Sequence, residues 1–455
     1  MQAESSWQPL LRDGEAAEAL DLVAQIARAV EQGNWYVDDC SLASGRSGLA
    51  VFHGYLAEAR RSTEDAERAA AHLDAAMDRL AETQMTVGLY RGFTGVSWTV
   101  DHLLDRLEQY QAHEESSGEP DLTVDTADAD SASKPAGADC DEDDILVEID
   151  RALDGMLCES PWPLEYDLIS GLVGVGIYTL ARLPRPSARV CLERVIGHLD
   201  GLAEHQSAGI TWFTPPHLVP PLERERSAGG YYNLGVAHGV PGIIAFLAQA
   251  HAAGVADATV DSLLSGALDW LLAQERPAAG TARFGYDVTP GQPPSRATRP
   301  AWCYGDLGIA AAFACSARLV DDPRLEREAT DLARAVARLD PATWKIPDAG
   351  LCHGAAGVGH LFNRIHQSTG DESARDAALF WIRCACDLHQ PGRGYGGFPA
   401  RNGDDWAETP GLLEGAVGVG LALLAASTAV EPAWDQMLLA SSALDDAVVD
   451  RVRSR

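Results

Sequence analysis

No run of the 455 residues is long and apolar enough to cross a bilayer, which takes about 20 consecutive apolar residues, so no transmembrane segment is expected. The start, MQAESSWQPLLRDGEAAEAL, has neither a basic head nor a long apolar run, and a secretory leader is not expected either. Positive charge is scarce: 35 Lys and Arg stand against 67 Asp and Glu, a net charge of −32. Such a surface repels phosphate backbones and anionic lipid, which argues against nucleic-acid and membrane-surface partners. Beyond that, the acidity reads as solubility and says little about a substrate. Cysteine is too scattered for a disulfide framework: nine residues, an odd number, in a chain too long to need covalent staples. That usage suits a reducing cytoplasm, which is the compartment expected.

What the chain does have is hydrophobic content, 46%, which excludes wholesale disorder. It also has 43 glycines, and they are patterned. A Gly-x-x-Gly pair followed by a small or apolar run recurs seven times, at Gly45/Gly48, Gly92/Gly95, Gly171/Gly174, Gly239/Gly242, Gly305/Gly308, Gly354/Gly357 and Gly415/Gly418. The runs are alike, as in SGLVGVGIYTL, HGVPGIIAFLA and EGAVGVGLALL, and apolar nearly all round, as suits helices packed on every side. Segments before the signatures read as amphipathic helices. Residues 187–206 space Val190, Val195, Ile196, Leu199 and Leu202; residues 258–274 and 324–339 repeat the pattern. Each repeat therefore predicts an outer amphipathic helix, a loop and a buried inner helix.

Seven such hairpins predict an all-α fold: a single α/α toroid over residues 1–455, about fourteen helices in two concentric rings. Because each inner helix starts at its glycine signature, all seven signatures gather at one mouth. The longest spacing holds residues 112–147, acidic and poor in large apolar side chains, which predict a flexible surface insertion. Cys140 within it reads as a loop residue. Two irregular stretches, 207–235 and 276–300, precede signatures and border the mouth or serve as ordinary long connections.

In three consecutive repeats the residues before the first glycine carry chemistry: Ala237-His238-Gly239, Trp302-Cys303-Tyr304-Gly305 and Leu351-Cys352-His353-Gly354. Two thiols and two imidazoles thus reach equivalent places in neighbouring hairpins. No zinc-finger spacing relates Cys303 to Cys352; only the repeat makes them neighbours. A Cys, Cys, His set is what a catalytic zinc uses, with the fourth position left open, and thiolate with imidazole favours zinc over magnesium or calcium. The metal expected is one Zn2+ on Cys303, Cys352 and His353. The other cysteines, Cys40, Cys158, Cys191, Cys315, Cys384 and Cys386, read as core filling.

These residues, together with Arg299-x-x-Trp302 and the seven glycine-rich hairpins, resemble the lanthionine synthetase C-like (LanC) cyclases, over essentially the whole chain apart from the acidic insertion. The resemblance implies a stand-alone zinc-dependent lanthipeptide cyclase rather than half of a bifunctional synthetase. It implies His238 as the acid/base near the metal and Asp167, in Tyr166-Asp167-Leu168-Ile169, as the carboxylate that orients it. Arg299 and Tyr304 are implied as polar groups lining the site. From the residues alone, Arg299 reads as a surface cation and Asp167 as a helix cap. The implied substrate is a precursor peptide already dehydrated by a separate dehydratase, with an exporter as a further partner.

The chemistry agrees with that assignment. A free thiol is mostly protonated at neutral pH and the thiolate is the nucleophile; zinc ligation deprotonates it. Attack on dehydroalanine or dehydrobutyrine gives an enolate, which His238 protonates and Arg299 stabilises, leaving a (methyl)lanthionine thioether ring. A LanC-like enzyme that adds glutathione would use the same zinc. A prenyltransferase β-subunit would need an aspartate ligand, and a toroidal glycosidase would need paired carboxylates where only Glu414 stands. A non-catalytic zinc scaffold would have no use for His238.

Overall fold

The computed structural model describes residues 7–33, 38–117, 144–220, 224–276, 282–293, 295–344 and 346–444. Counting helices of ten residues or more, fourteen are present among the described residues. Seven form an outer set: α1 (Asp13–Gln32), α3 (Thr63–Glu82), α5 (Val147–Leu157), α7 (Pro186–Leu202), α9 (Asp257–Leu272), α11 (Pro323–Ala337) and α13 (Glu372–Asp387). Seven form an inner set, each opening at its glycine signature: α2 (Arg46–Arg60), α4 (Phe93–Ser117), α6 (Leu172–Ala181), α8 (Val240–Ala252), α10 (Asp306–Ala317), α12 (Ala355–Thr369) and α14 (Ala416–Ser427). Every inner helix touches the next, and α14 touches α2, so the inner ring closes. The protein is an α/α toroid. None of the described helices is long and apolar enough to cross a membrane.

The two sets differ as their sequences demand. In α14 every residue from Ala416 to Ala426 is buried, and in α6 every residue from Leu172 to Leu180, so small and apolar side chains occupy all faces. Outer α11 buries one stripe only, Leu325, Ala329, Leu332, Ala333 and Val336. Several outer helices carry side-chain caps: Ser62 accepts from the Asp65 N–H, and Asp371 from the Ala374 N–H.

The observed packing refines the sequence reading. Outer helices lie chiefly on the inner helix that precedes them, as in α2–α3, α10–α11 and α12–α13. The first outer helix, α1, packs on the last inner helix, α14, which joins the two ends of the chain. Helix α7 ends at Leu202, short of the anticipated 206, and Val190 is 44% exposed rather than core-facing; Cys191 and Leu192 take the buried stripe. The proposed insertion at 112–147 falls mostly outside the described residues, Cys140 included; its near end, 112–117, completes α4.

The irregular stretches before two signatures are partly strands. Ala203–Gln206 (β1), Gly209–Thr214 (β2), Tyr231–Asn233 (β3) and Asp287–Val288 (β4) form an antiparallel sheet in that order; Ala400–Asn402 (β5) pairs with Asp405–Ala407 (β6). The buried Ile210 and Trp212 anchor β2 to the helices beneath.

At the mouth the seven turns before the inner helices are joined into a closed backbone ring. Ala43 N–H donates to Tyr90 O, Tyr90 to Ile169, Leu168 to Ala237, Ala237 to Cys303, Trp302 to Cys352, Cys352 to Leu413, and Leu412 back to Ala43, at 2.8–3.3 Å. All seven acceptor carbonyls belong to the residue two before a first glycine and the donors stand two or three before one, so the ring holds equivalent positions of all seven repeats in register. The second glycine makes this possible: a Cβ on Gly357 would stand 1.8 Å from the Leu351 carbonyl oxygen.

The chain's last described segment fills the axis behind that ring. A 3-10 turn at Ala433–Leu438 accepts hydrogen bonds from Tyr90 Oη (to Met437 O, 2.7 Å) and Trp302 Nε1 (to Leu438 O, 2.8 Å). Its fully buried Asp435 meets His360 Nε2 at 2.7 Å and Arg364 Nε at 2.6 Å. Burial alone would raise the Asp435 carboxyl, but the Arg364 charge and the bonds from His360 and Arg364 outweigh it and bring it from 3.8 to about 2. Asp435→Asn is expected to cost about 3 kcal/mol of stability near neutral pH, because it removes the buried charge facing Arg364 and leaves that guanidinium only the part-exposed Glu431 as a charged partner. The depressed carboxyl contributes fully above the unfolded value of about 4, and the contribution fades as pH falls toward about 2. Urea unfolding at pH 6 and pH 3 checks this: the gap between wild type and variant narrows at pH 3.

Candidate metal centre and acid–base pair

Cys303 and Cys352 are ring members, two residues before Gly305 and Gly354, and the backbone hydrogen bonds of Ala237, Trp302 and Cys352 fix both turns. His353 follows one residue on. The ligand atoms of Cys303, Cys352 and His353 all lie within 4.8 Å of one another, the one Cys/His-containing group of this kind among the described residues. Gly305 adopts φ 109°, a conformation open to glycine, and a Cβ there would meet the Arg299 carbonyl oxygen at 2.4 Å.

The two thiols shift one another in opposite directions. A hydrogen bond from Cys352 holds Cys303 well below the ordinary thiol value against the opposing effect of burial, with His353 and His238 adding positive charge. Cys352 is pushed up by that same bond, and then by burial and the neighbouring Cys303 charge. The bond to Cys303 raises His353, while burial and Arg299 oppose the rise. The lowered thiol thus stands beside a second thiol and an imidazole. Soft and convergent, this donor set fits a zinc ion.

Beside the cluster, His238 Nδ1 is 2.5 Å from Asp167 Oδ2. The other carboxylate oxygen, Oδ1, accepts the Ser170 N–H at 2.7 Å, so Asp167 serves both as the local cap read from the sequence and as partner to the imidazole. The carboxylate thus engages the imidazole through Nδ1, on a side chain that is 38% exposed. Tyr304 lies with its ring centroid 6.1 Å from that of His238. Arg299 is half-buried and near enough for its charge to act on both Cys352 and His353.

Sequence reasoning missed Asn233. Its Nδ2 donates to Tyr304 Oη at 2.9 Å and its Oδ1 accepts the Gly235 N–H at 2.8 Å, so it holds the phenol in place. The signal was present: Asn233 stands six residues before Gly239, as Arg299 does before Gly305. Tyr286, in the 276–300 stretch, packs on Tyr304 with centroids 5.2 Å apart. The remaining described cysteines are free. Cys40, Cys191 and Cys315 are buried and Cys384 and Cys386 half-buried, but Cys158 is exposed at the end of α5 because that helix stops at Leu157; core filling does not describe it. A cleft of 140 Å³ opens on the His238 side of the cluster, walled by Asp167, Tyr304, Thr214, Leu218 and Tyr231.

Seven hairpins around a closed inner ring, with a Cys, Cys, His cluster and a carboxylate-bound imidazole at one mouth, define a toroid whose mouth gathers a group that could hold a metal ion. The chain matches the lanthionine synthetase C-like protein family over residues 36–439 and belongs to it. No curated protein matches the chain. Among solved structures it is similar to nisin cyclase, with a TM-score of 0.69 and 17% identity, covering 92% of this chain and 97% of that one. At that identity the likeness shows a shared fold.

Proposed function

We propose that this chain is a zinc-dependent lanthipeptide cyclase, adding peptide cysteine thiols to dehydroalanine or dehydrobutyrine to form (methyl)lanthionine rings. The observation that carries the reading is the cluster of Cys303, Cys352 and His353 with the Asp167–His238 pair beside it. A purely structural metal site has no need of that pair. Membership of the family supports the reading, and the name of the similar solved structure is consistent with it.

Zinc held by Cys303, Cys352 and His353 would supply a Lewis acid that takes the substrate cysteine as its thiolate. The rest falls to the chain's own side chains. Addition of sulfur to the β-carbon moves the π electrons toward the acceptor's carbonyl oxygen. Arg299, at the cluster, supplies positive charge where that oxygen turns negative. His238, held by Asp167 through Nδ1, delivers a proton from Nε2 to the α-carbon and completes the ring. Asn233 fixes the Tyr304 hydroxyl, so the phenol is an ordered neighbour of the imidazole. The dehydro residues must come from a separate dehydratase, and an exporter is the further expected partner.

Purified chain incubated with a dehydrated peptide that contains one cysteine tests the reading. Thiol alkylation is expected to fall with time as rings form, with the mass of the unalkylated peptide unchanged. Exclusive transfer of glutathione to the same peptide, with its cysteine left free, would instead favour the glutathione-adding alternative.

A further inference from the structure

The reaction assigned above brings two groups together, a sulfur and an alkene, and the structure separates the places for them. The cleft beside His238 shares Asp167, His238 and Tyr304 with the site, yet none of Cys303, Cys352 and His353 lines it. It therefore lies on the side from which the α-carbon is protonated, away from the side that takes the thiol. An acceptor whose α-carbon faces His238 must send its backbone, and the residue next to it, along this side.

The walls of the cleft show what that neighbour meets. Thr214 at the end of β2, Tyr231 at the start of β3 and Leu218 between them form one wall. Two hydroxyls here are engaged: Tyr166 Oη lies 3.0 Å from Thr214 Oγ1 and bonds the Trp212 carbonyl oxygen at 3.2 Å. The lining mixes apolar surface from Leu218, Pro220 and the tyrosines with two carboxylates: Asp167, bound to His238, and the half-buried Glu165. Glu165 has no ion-pair partner among the described residues. It stands six residues before Gly171, the offset that puts Asn233 and Arg299 in the site. A carboxylate in a concave, partly desolvated wall attracts a cation far more than one on open surface, and the net charge of −32 adds to that pull.

We propose that this cleft is the acceptor subsite, and that Glu165 selects a cationic side chain beside the dehydroamino residue, whose aliphatic stem lies against Leu218 and Tyr231. The proposal rests on the cyclase reading, and its test keeps the two apart. Three dehydrated peptides are compared that differ only in the residue beside dehydroalanine: Lys, Leu or Glu. Their affinities are also measured by fluorescence anisotropy with serine in place of dehydroalanine, so that binding is read without turnover.

The zinc-replete wild type is expected to favour Lys over Glu by about fivefold to tenfold in both kcat/KM and affinity. Glu165→Arg is expected to invert that order. Leu218→Trp, in a loop where a larger side chain fills the cleft without disturbing a helix, is expected to raise KM for all three peptides with zinc content retained. Equal treatment of the three peptides by wild type and by Glu165→Arg, in binding and turnover alike, overturns the subsite. Ordered binding without any ring formation overturns the cyclase reading and leaves the subsite standing.

Discussion

Cys303→Ala is expected to yield a folded chain that retains no zinc and forms rings no faster than the uncatalysed background. Three ligand atoms within 4.8 Å make the cluster, and two of three cannot enforce a tetrahedral site with one open position. Cys303 is also the thiol whose neighbours favour its ionised form, so its loss removes the ligand that most favours a dication. The fold should persist, because the side chain plays no part in the backbone ring: the Cys303 carbonyl oxygen accepts the Ala237 N–H whatever the side chain. Metal analysis, thermal melting and thiol alkylation on one preparation check all three points. Normal zinc content and unchanged cyclisation in this variant would sink the assignment of the metal.

His238→Ala should separate the metal from the proton. Its imidazole is not among the three clustered ligands, so zinc content is expected to stay near wild type while ring formation falls by about 10²–10⁴-fold, the range for removing a positioned acid or base. The larger part of the loss should be in kcat, since protonation of the α-carbon follows binding. Asp167→Asn is the companion variant: it keeps the shape but replaces the acceptor that fixes Nδ1 at 2.5 Å. Rates are measured by following thiol loss under saturating peptide. Undiminished cyclisation by zinc-replete His238→Ala would remove the acid/base role and leave the metal in place.

Much of the architecture could be read before any coordinates because the repeat is local. Each Gly-x-x-Gly pair answers to contacts within a few residues, such as Gly357 against Leu351, so the seven signatures announce seven inner helices. Placing Cys303, Cys352 and His353 together followed from that register alone. The features that escaped depend on distant partners. Nothing near residues 433–444 shows that they fill the axis of the ring; that comes from Tyr90, Trp302 and Arg364, far away in sequence. The pairing of α1 with α14 depends on closure, which no window of sequence contains. Strands β2 to β4 are two to six residues long and separated by loops, too short for alternation to show.

Asp167 illustrates the boundary between the two. Its bond to the Ser170 N–H is local, and a cap is what the residues alone suggest. Its bond to His238 crosses from one repeat to the next and needs the ring that joins Leu168 to Ala237. Arg299 is similar: a lone arginine in a Pro/Gly-rich stretch reads as a surface cation, and only the turn at Gly305 brings it to the cluster. Val190 erred for the opposite reason. Apolar spacing counted it as core, but α7 presents its buried stripe through Cys191, Val195 and Leu199.

The most direct test of the central claim is to measure zinc and ring formation on the same wild-type sample before chelation, after chelation and after zinc is restored. One zinc per chain, cyclisation lost with the metal and regained in proportion to the zinc returned, is the result expected. Full cyclisation by the metal-free chain would contradict the account.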